Sequence, residues 1–286
     1  NQNDQHGGQS IPNFDYGLAE GVAKTFAKLY KIRLTEALED ALESDNESDV
    51  VEEVLEKAKQ STGDKPRLER NEEKFDSYVI EELIGRCGLD YHTAKHVVAT
   101  TRRRATKQTE NETYQAMEGF VHNLNTMHSR AGAQTPFSSI NYGTDTSPEG
   151  RMIIRNVLLA TDAGLGNGET CIFPIHIFKV KEGVNYNEGD PNYDLFRLSC
   201  KVSAKRLFPN FVFLDSPFTY NTISRDIRRR KLQQWVAVPV LWEIIVIRIK
   251  RFPTQEGTFP SHPSICRGLP SKAREMRKYF MKNWTR

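Results

Sequence analysis

The strongest nucleophiles in this 286-residue chain are four cysteines, Cys87, Cys171, Cys200 and Cys266, and they lie far apart. No C-x-x-C pair occurs, which argues against a zinc knuckle or a dithiol redox centre within the chain. Free, scattered thiols suit a reducing cytoplasm, and Cys171, in a strand, and Cys200, in a helix, are expected to be small buried hydrophobes. His92 and His96 sit at i and i+4 and could share a metal. No acid or third ligand stands at fitting spacing, so a solvated helix face is the preferred reading, and no metal site is expected. Arg102-Arg103-Arg104 could grip phosphate, but a run of solvated charge is favoured. Gln5 to Ser10 (QHGGQS) has the small residues of a turn. Gly164 to Gly168 (GLGNG) follows a helix rather than a strand, so a dinucleotide-binding reading fails its context.

More informative is Ser129 to Asn141 (SRAGAQTPFSSIN). Arg130, Ala131, Gly132, Ala133 and Gln134 form a flexible connection out of a long helix. Arg130 can pair with phosphate, and Gly132 allows close approach of backbone to a ligand. In the strand that follows, Ser139 and Asn141 alternate with apolar Ile140 and Tyr142. On pattern alone an ordinary helix-to-strand connection is favoured.

The elements that must position these residues fall into two halves. Helical spacing marks Leu18 to Tyr30, and also Leu34 to Ala58 with a break at Ser44-Asp45-Asn46. It continues in Ser77 to Cys87, capped by Gly88, and in Tyr91 to Met127. The period then changes. Strands are expected at Thr135 to Tyr142, Cys171 to Val180 and Asn210 to Leu214, with helices at Ser147 to Asp162 and Asp194 to Leu207. Ser147-Pro148-Glu149 is a strong helix start, with an N-cap serine, a first-turn proline and an acid by the helix dipole. Strand, helix, strand, helix, strand predicts a parallel α/β arrangement. The 38% apolar content fits a folded chain. No apolar run reaches membrane-spanning length, and no signal peptide or membrane partner is expected. A start at Asn1 without Met suggests a fragment or a processed product.

Three long segments resemble the anaerobic (class III, glycyl-radical) ribonucleotide reductases: NQNDQHGGQSIPNFDYG, HNLNTMHSRAGAQTPFSSINYGTDTSPEGR, and IFPIHIFKVKEGVNYN followed by GDPNYDLFRLSCKVSAKRLFPNF. The resemblance covers Asn1 to Pro217. It implies part of a ten-stranded α/β barrel, with the helical half at its N-terminal side. It also implies reduction of ribonucleoside triphosphates to deoxyribonucleotides by radical chemistry, for DNA synthesis. In that family a glycyl radical generates a thiyl radical on a barrel-loop cysteine, and formate supplies the reducing equivalents. A structural zinc, a homodimer, a radical-SAM activating protein, and deoxynucleotide or ATP effectors also belong to the implied picture. The resemblance makes Arg130 to Gln134 the loop that links effector to substrate base, and Ser138, Ser139 and Asn141 a substrate-side strand.

The same resemblance shows what is missing. The early active-site cysteine, the glycyl-radical loop and the four-cysteine zinc site have no counterpart, so no cofactor is expected within this chain. The thiyl cysteine, normally in a segment Glu-Val-Ala-Thr-Met-Gly-Cys-Arg-Thr-Arg-Val-Met-Gly-Asn, is expected near Val236 and Ala237 and is absent. Lys231 to Glu243 (KLQQWVAVPVLWE) stands there, and codons chosen for that segment give it when read one nucleotide out of frame. Met-Gly (ATG GGN) shifts to Trp and a codon beginning with G, and Trp235 and Trp242 are seven apart, as the two Met-Gly pairs are. The cysteine codon is then split between Val236 and Ala237. Thr258 to Pro270 fits a shifted Asn-Leu-Ser-Phe-Thr-Ser-Ile-Asn-Leu-Pro-Arg-Leu-Ala in the same way. The expected organisation is therefore a partial catalytic barrel at residues 1–217 and an out-of-frame, poorly specified tail at 218–286. Such a tail accounts for a charge split of +11 from Phe218 onward against −8 before it. The alternative is a non-catalytic nucleotide- or nucleic-acid-binding protein that uses this basic C-terminal tail.

Overall fold

The structure is a computed structural model that describes residues 9–44, 47–69, 72–126, 135 and 137–216. A short strand β1 (Gln9–Ile11) leads into four helices: α1 (Phe14–Leu42), α2 (Ser48–Thr62), α3 (Glu72–Cys87) and α4 (Tyr91–Thr126). The order then alternates as β2 (Ser138–Tyr142), α5 (Pro148–Ala163), β3 (Ile175–Val180), α6 (Tyr193–Arg206) and β4 (Asn210–Phe213). The strands form one parallel sheet in the order β1-β2-β3-β4. The expected parallel α/β arrangement and helical N-terminal half are both present. Among the described residues the sheet has four strands, with β1 and β4 as its edges, rather than the ten of a whole barrel.

Local chemistry explains most boundaries. Ser147 caps α5 by accepting a 3.1 Å bond from the Gly150 amide, with Pro148 in the first turn. Asp90 starts α4 by accepting from the amides of His92 (2.9 Å) and Thr93 (3.1 Å). Gly88, at φ +66°, closes α3 through its amide to the Ile84 carbonyl. Gly150 is forced by packing, because a Cβ there would lie 2.3 Å from the Asp145 carboxyl carbon.

Several expectations need correction. The segments Leu18 to Tyr30 and Leu34 to Ala58 do not form the two helices expected. α1 runs unbroken through Lys31-Ile32-Arg33, which contains no helix breaker, and its buried stripe continues through Tyr30, Leu34, Ala37 and Leu38. It stops at Glu43, in the left-handed conformation, just before the expected break. Cys171 lies ahead of β3 rather than within it, since the strand starts at Ile175. Gln9 and Ser10 belong to strand β1, where a turn was expected.

Arg102 is not part of a solvated run. It is buried, grips Asp76 with two 2.6 Å bonds, donates to the Arg67 carbonyl, and stacks over Phe26 and Tyr30. Position decides this. Helical spacing from Val98 and Ala105, both buried, turns residue 102 inward, while Arg103 and Arg104 face out.

Candidate functional site

The sheet has two unlike faces. Ile140 pairs in register with His176, and Tyr142 with Phe178. His176 lies within 3.4 Å of the Thr161 hydroxyl of α5, and Phe178 packs on Phe196 of α6. That face therefore carries the helices. Ser138 shares it, two residues before Ile140. Asn141 pairs with Ile177, so Ser139, Asn141, Ile177 and Lys179 share the opposite face.

On the helix-covered face, His176 is fully buried, and desolvation holds its pKa at about 3. The ring is thus a neutral imidazole. Thr161 spends its hydroxyl proton on the Val157 carbonyl at 2.6 Å, leaving its oxygen to accept from Nε2–H. Nδ1 then accepts from the Tyr142 hydroxyl at 3.1 Å. Tyr142 is pushed well above its usual pKa by burial, with Asp15 and Cys171 adding to the shift, and stays a donor.

At the C-terminal ends of β1, β2 and β3 the polar groups are closed by side chains. Asp15, fully buried, accepts from the amides of Gly143 (2.9 Å), Thr144 (3.1 Å) and Asp145 (3.1 Å). Asn185 donates to the carbonyls of Gly143 and Lys179, and Asn192 to those of Gly143 and Asp145. Lys179 donates to the Pro12 carbonyl and the Asn13 side chain, each at 2.8 Å. Burial lowers the Lys179 pKa while the Asp15 carboxylate opposes that shift. Arg151 ties the outer loop down through Pro191, Asn192 and Asp194. The residues doing this were missed in the sequence. The one available hint was the density of Asn and Asp in NFD, YGTD, VNYN and DPNYD, residue types that bind nearby backbone.

Further back along β2 the picture reverses. Asn141 has no exposed surface, and among the described residues neither its amide nitrogen nor its carbonyl oxygen has a partner. The Ser138 hydroxyl is buried without one as well. Orphaned carboxamides of this kind are uncommon, and each calls for an explanation.

Of the sequence-expected residues, Ser138, Ser139 and Asn141 are thus placed on β2. Arg130, Ala131, Gly132, Ala133 and Gln134 lie outside the described residues, as do Val236 and Ala237. The described elements on either side of Arg130 to Gln134 are α4, which ends at Thr126, and β2, which starts at Ser138. Asn125, beside that end of α4, accepts from the Ile172 and Phe173 amides and donates to the Phe173 carbonyl. Phe137 and Phe173 stack edge to face beside it, with centroids 5.3 Å apart. The start of β2 and the run into β3 are thereby fixed to one another.

The described thiols are not poised for attack. Burial raises Cys171, against a lowering from Arg206, and pushes Cys200 up to about 12. Cys87 is raised chiefly by burial too. His92 and His96 are exposed. Among the described residues no three His, Cys, Asp or Glu side chains are grouped to hold a metal, and no helix is long and apolar enough to cross a membrane.

A family model described as "Anaerobic ribonucleoside-triphosphate reductase" matches residues 1–236. The anaerobic ribonucleoside-triphosphate reductase of Salmonella typhimurium is 38% identical over 112 residues, covering 39% of this chain and 16% of that protein. The Escherichia coli protein of the same name gives the same figures, 38% over 112 residues. That of enterobacteria phage T4 is 37% identical over 127 residues, 42% of this chain and 21% of its own length. The chain thus spans only about a sixth to a fifth of these curated relatives.

Proposed function

The chain belongs to the anaerobic ribonucleoside-triphosphate reductase family, and on that premise we propose that it is a catalytically incomplete section of such an enzyme's barrel. The observation that carries this reading is the family match over residues 1–236. The parallel sheet, with its three helical crossovers, is the architecture such a section needs. In the whole enzyme, ribonucleoside triphosphates are reduced to deoxyribonucleotides. The barrel's part in that work is to hold the substrate and exclude water, while a radical does the bond breaking.

Arg130 to Gln134 carry the effector signal. Their position between α4 and β2 lets a nucleotide held by the loop shift the start of β2, and with it Ser139 and Asn141. Such coupling is on the order of 1–3 kcal/mol. Ser139 and Asn141 face the barrel interior, where the unpaired carboxamide of Asn141 offers one acceptor and two N–H donors to the substrate.

Among the described residues no thiol is poised for hydrogen abstraction. Cys171 and Cys200 are buried and protonated, and the segment where the thiyl cysteine belongs reads Trp235-Val236-Ala237. Residues 231–286 read as the family's own segment translated out of frame, the frame changing between Phe218 and Arg230, although the family match runs on to residue 236. The family's zinc does not fit the described residues, which contain no ligand group for it. The glycyl radical, formate, dimer partner and radical-SAM activating protein belong to the complete enzyme.

Effector binding tests the loop. Deoxynucleoside triphosphates should bind the chain, and Arg130→Ala should abolish that binding; if binding survives unchanged, the loop assignment is wrong. The charge of +11 from Phe218 onward favours a second reading, a nucleic-acid-binding protein. That reading requires polynucleotide affinity that falls steeply with salt.

A further inference from the structure

Where Asn141 is buried without partners among the described residues, Asn125 is the opposite case. A side-chain amide offers two N–H donors and an oxygen that accepts twice, and at Asn125 all four are used. Nδ2 donates to the Val121 carbonyl of its own helix at 2.7 Å and to the Phe173 carbonyl at 2.6 Å. Oδ1 accepts from the amides of Ile172 at 2.8 Å and Phe173 at 3.1 Å. One bond fixes the side chain to α4, and three grip the backbone of two residues far along the chain.

Side-chain packing of Ile172 does not hold that backbone, since Ile172 is 67% exposed. Phe173 stacks on Phe137, the residue before β2, and β3 begins two residues after Phe173, at Ile175, which pairs with Ser139. The end of α4, the lead into β3 and the start of β2 are thus joined at one point, and in the chain Arg130 to Gln134 lie between Asn125 and Phe137. β3 extends the connection, because Lys179 donates from it to the Pro12 carbonyl and the Asn13 side chain beyond β1.

A displacement at the end of α4 is therefore delivered to β3 through bonds to its backbone lead, and along the strand to Ile177 and Lys179, on the face that Asn141 shares. Asn suits this position by its chemistry: Asp lacks the donors, and Gln is one methylene longer. We propose that Asn125 is a positioning residue for the effector response, the link by which occupancy of Arg130 to Gln134 reaches β3 as well as β2. For its ligand this role rests on the effector-loop reading; its geometry involves described residues alone.

Titrating the full chain with each ribonucleoside triphosphate, with and without saturating deoxynucleoside triphosphate, gives the coupling as a ratio of two dissociation constants. In the parent the most responsive pair should show a ratio of about five- to 150-fold. Asn125→Ala should bring that ratio to within about twofold of unity, while the deoxynucleoside triphosphate binds as it does to the parent. Ser147→Ala removes a helix cap elsewhere and should leave the ratio unchanged, which separates the link from a general loss of stability. In the unaltered chain, hydrogen exchange at the Ile172 and Phe173 amides should change by about fivefold or more when the deoxynucleoside triphosphate binds. A ratio kept in Asn125→Ala, or exchange at these two amides that ignores the ligand, would overturn the role of Asn125 even where Arg130→Ala abolishes binding. Binding that survives Arg130→Ala, with a ratio that still needs Asn125, would move the ligand off the loop and keep the link. A parent chain without measurable coupling would overturn the link outright.

Discussion

The two ends of β2 handle buried polar groups in opposite ways. At its C-terminal end, the amides of Gly143, Thr144 and Asp145 converge on the Asp15 carboxylate, and the carbonyls of Gly143 and Asp145 are taken by Asn185 and Asn192. At Asn141, on the face turned away from the helices, side-chain donors and acceptors are buried with nothing to bind among the described residues. The first arrangement is architecture, since a satisfied network fixes where three strands end. The second is an opening, because a carboxamide buried without partners costs stability that only a missing partner returns. The segment SSINYGTDTSPEG, which lies within the family resemblance, therefore divides into a part that builds the sheet and a part, Asn141, that faces the proposed substrate.

That contrast can be broken most forcefully at Asp15. Asp15→Ala strips three buried amides of their acceptor and leaves Lys179 without its nearby opposite charge, so a loss of about 3–5 kcal/mol is expected. Urea unfolding followed by circular dichroism reads it directly, and a loss well under 1 kcal/mol would mean that solvent reaches this end of the sheet after all.

A smaller effect is expected at His176, whose pKa of about 3 lies below the ordinary value of 6.5. The unfolded chain takes up this proton first as pH falls, so the native state loses ground from about pH 6.5 down to about 3 and recovers it as pH rises. Stability measured against pH should thus be flatter over that window in His176→Gln than in the parent. An NMR titration showing a charged imidazole at pH 5 would contradict the buried, neutral ring.

The smallest stability change should come from Asn141→Val. Removing an unpaired buried carboxamide is expected to leave stability within about 1 kcal/mol of the parent or to raise it. The same substitution should weaken ribonucleoside triphosphate binding. A large destabilisation without any change in binding would make Asn141 a structural residue like Asp15 and erase the contrast.

Much of the frame was legible in the sequence because it is encoded locally. Ser147-Pro148 starts α5, Gly88 ends α3, and the change of period after Met127 marks the passage to strands. What was hidden depends on partners distant in the chain. Arg102 reads as one of three solvated arginines until Asp76, Phe26 and Tyr30 are brought to it. Asp15 looks like a first-turn helix acid, yet its partners lie about 130 residues away. Gln9 to Ile11 is too short for alternation to show, and it becomes a strand only by pairing with Ser138 to Ile140. Within the site, Asn141 could be named from its strand, but its lack of partners could not. Arg130 to Gln134, Val236 and Ala237 remain sequence readings, outside the described residues.

The most direct test of the central claim is a reductase assay on this chain alone, supplied with ribonucleoside triphosphate, formate and the activating protein, and run beside an effector-binding titration. Deoxynucleoside triphosphate should bind in a manner that requires Arg130, while no deoxyribonucleotide is formed. Sustained deoxyribonucleotide production by this polypeptide would contradict the claim that its reactive thiol is missing.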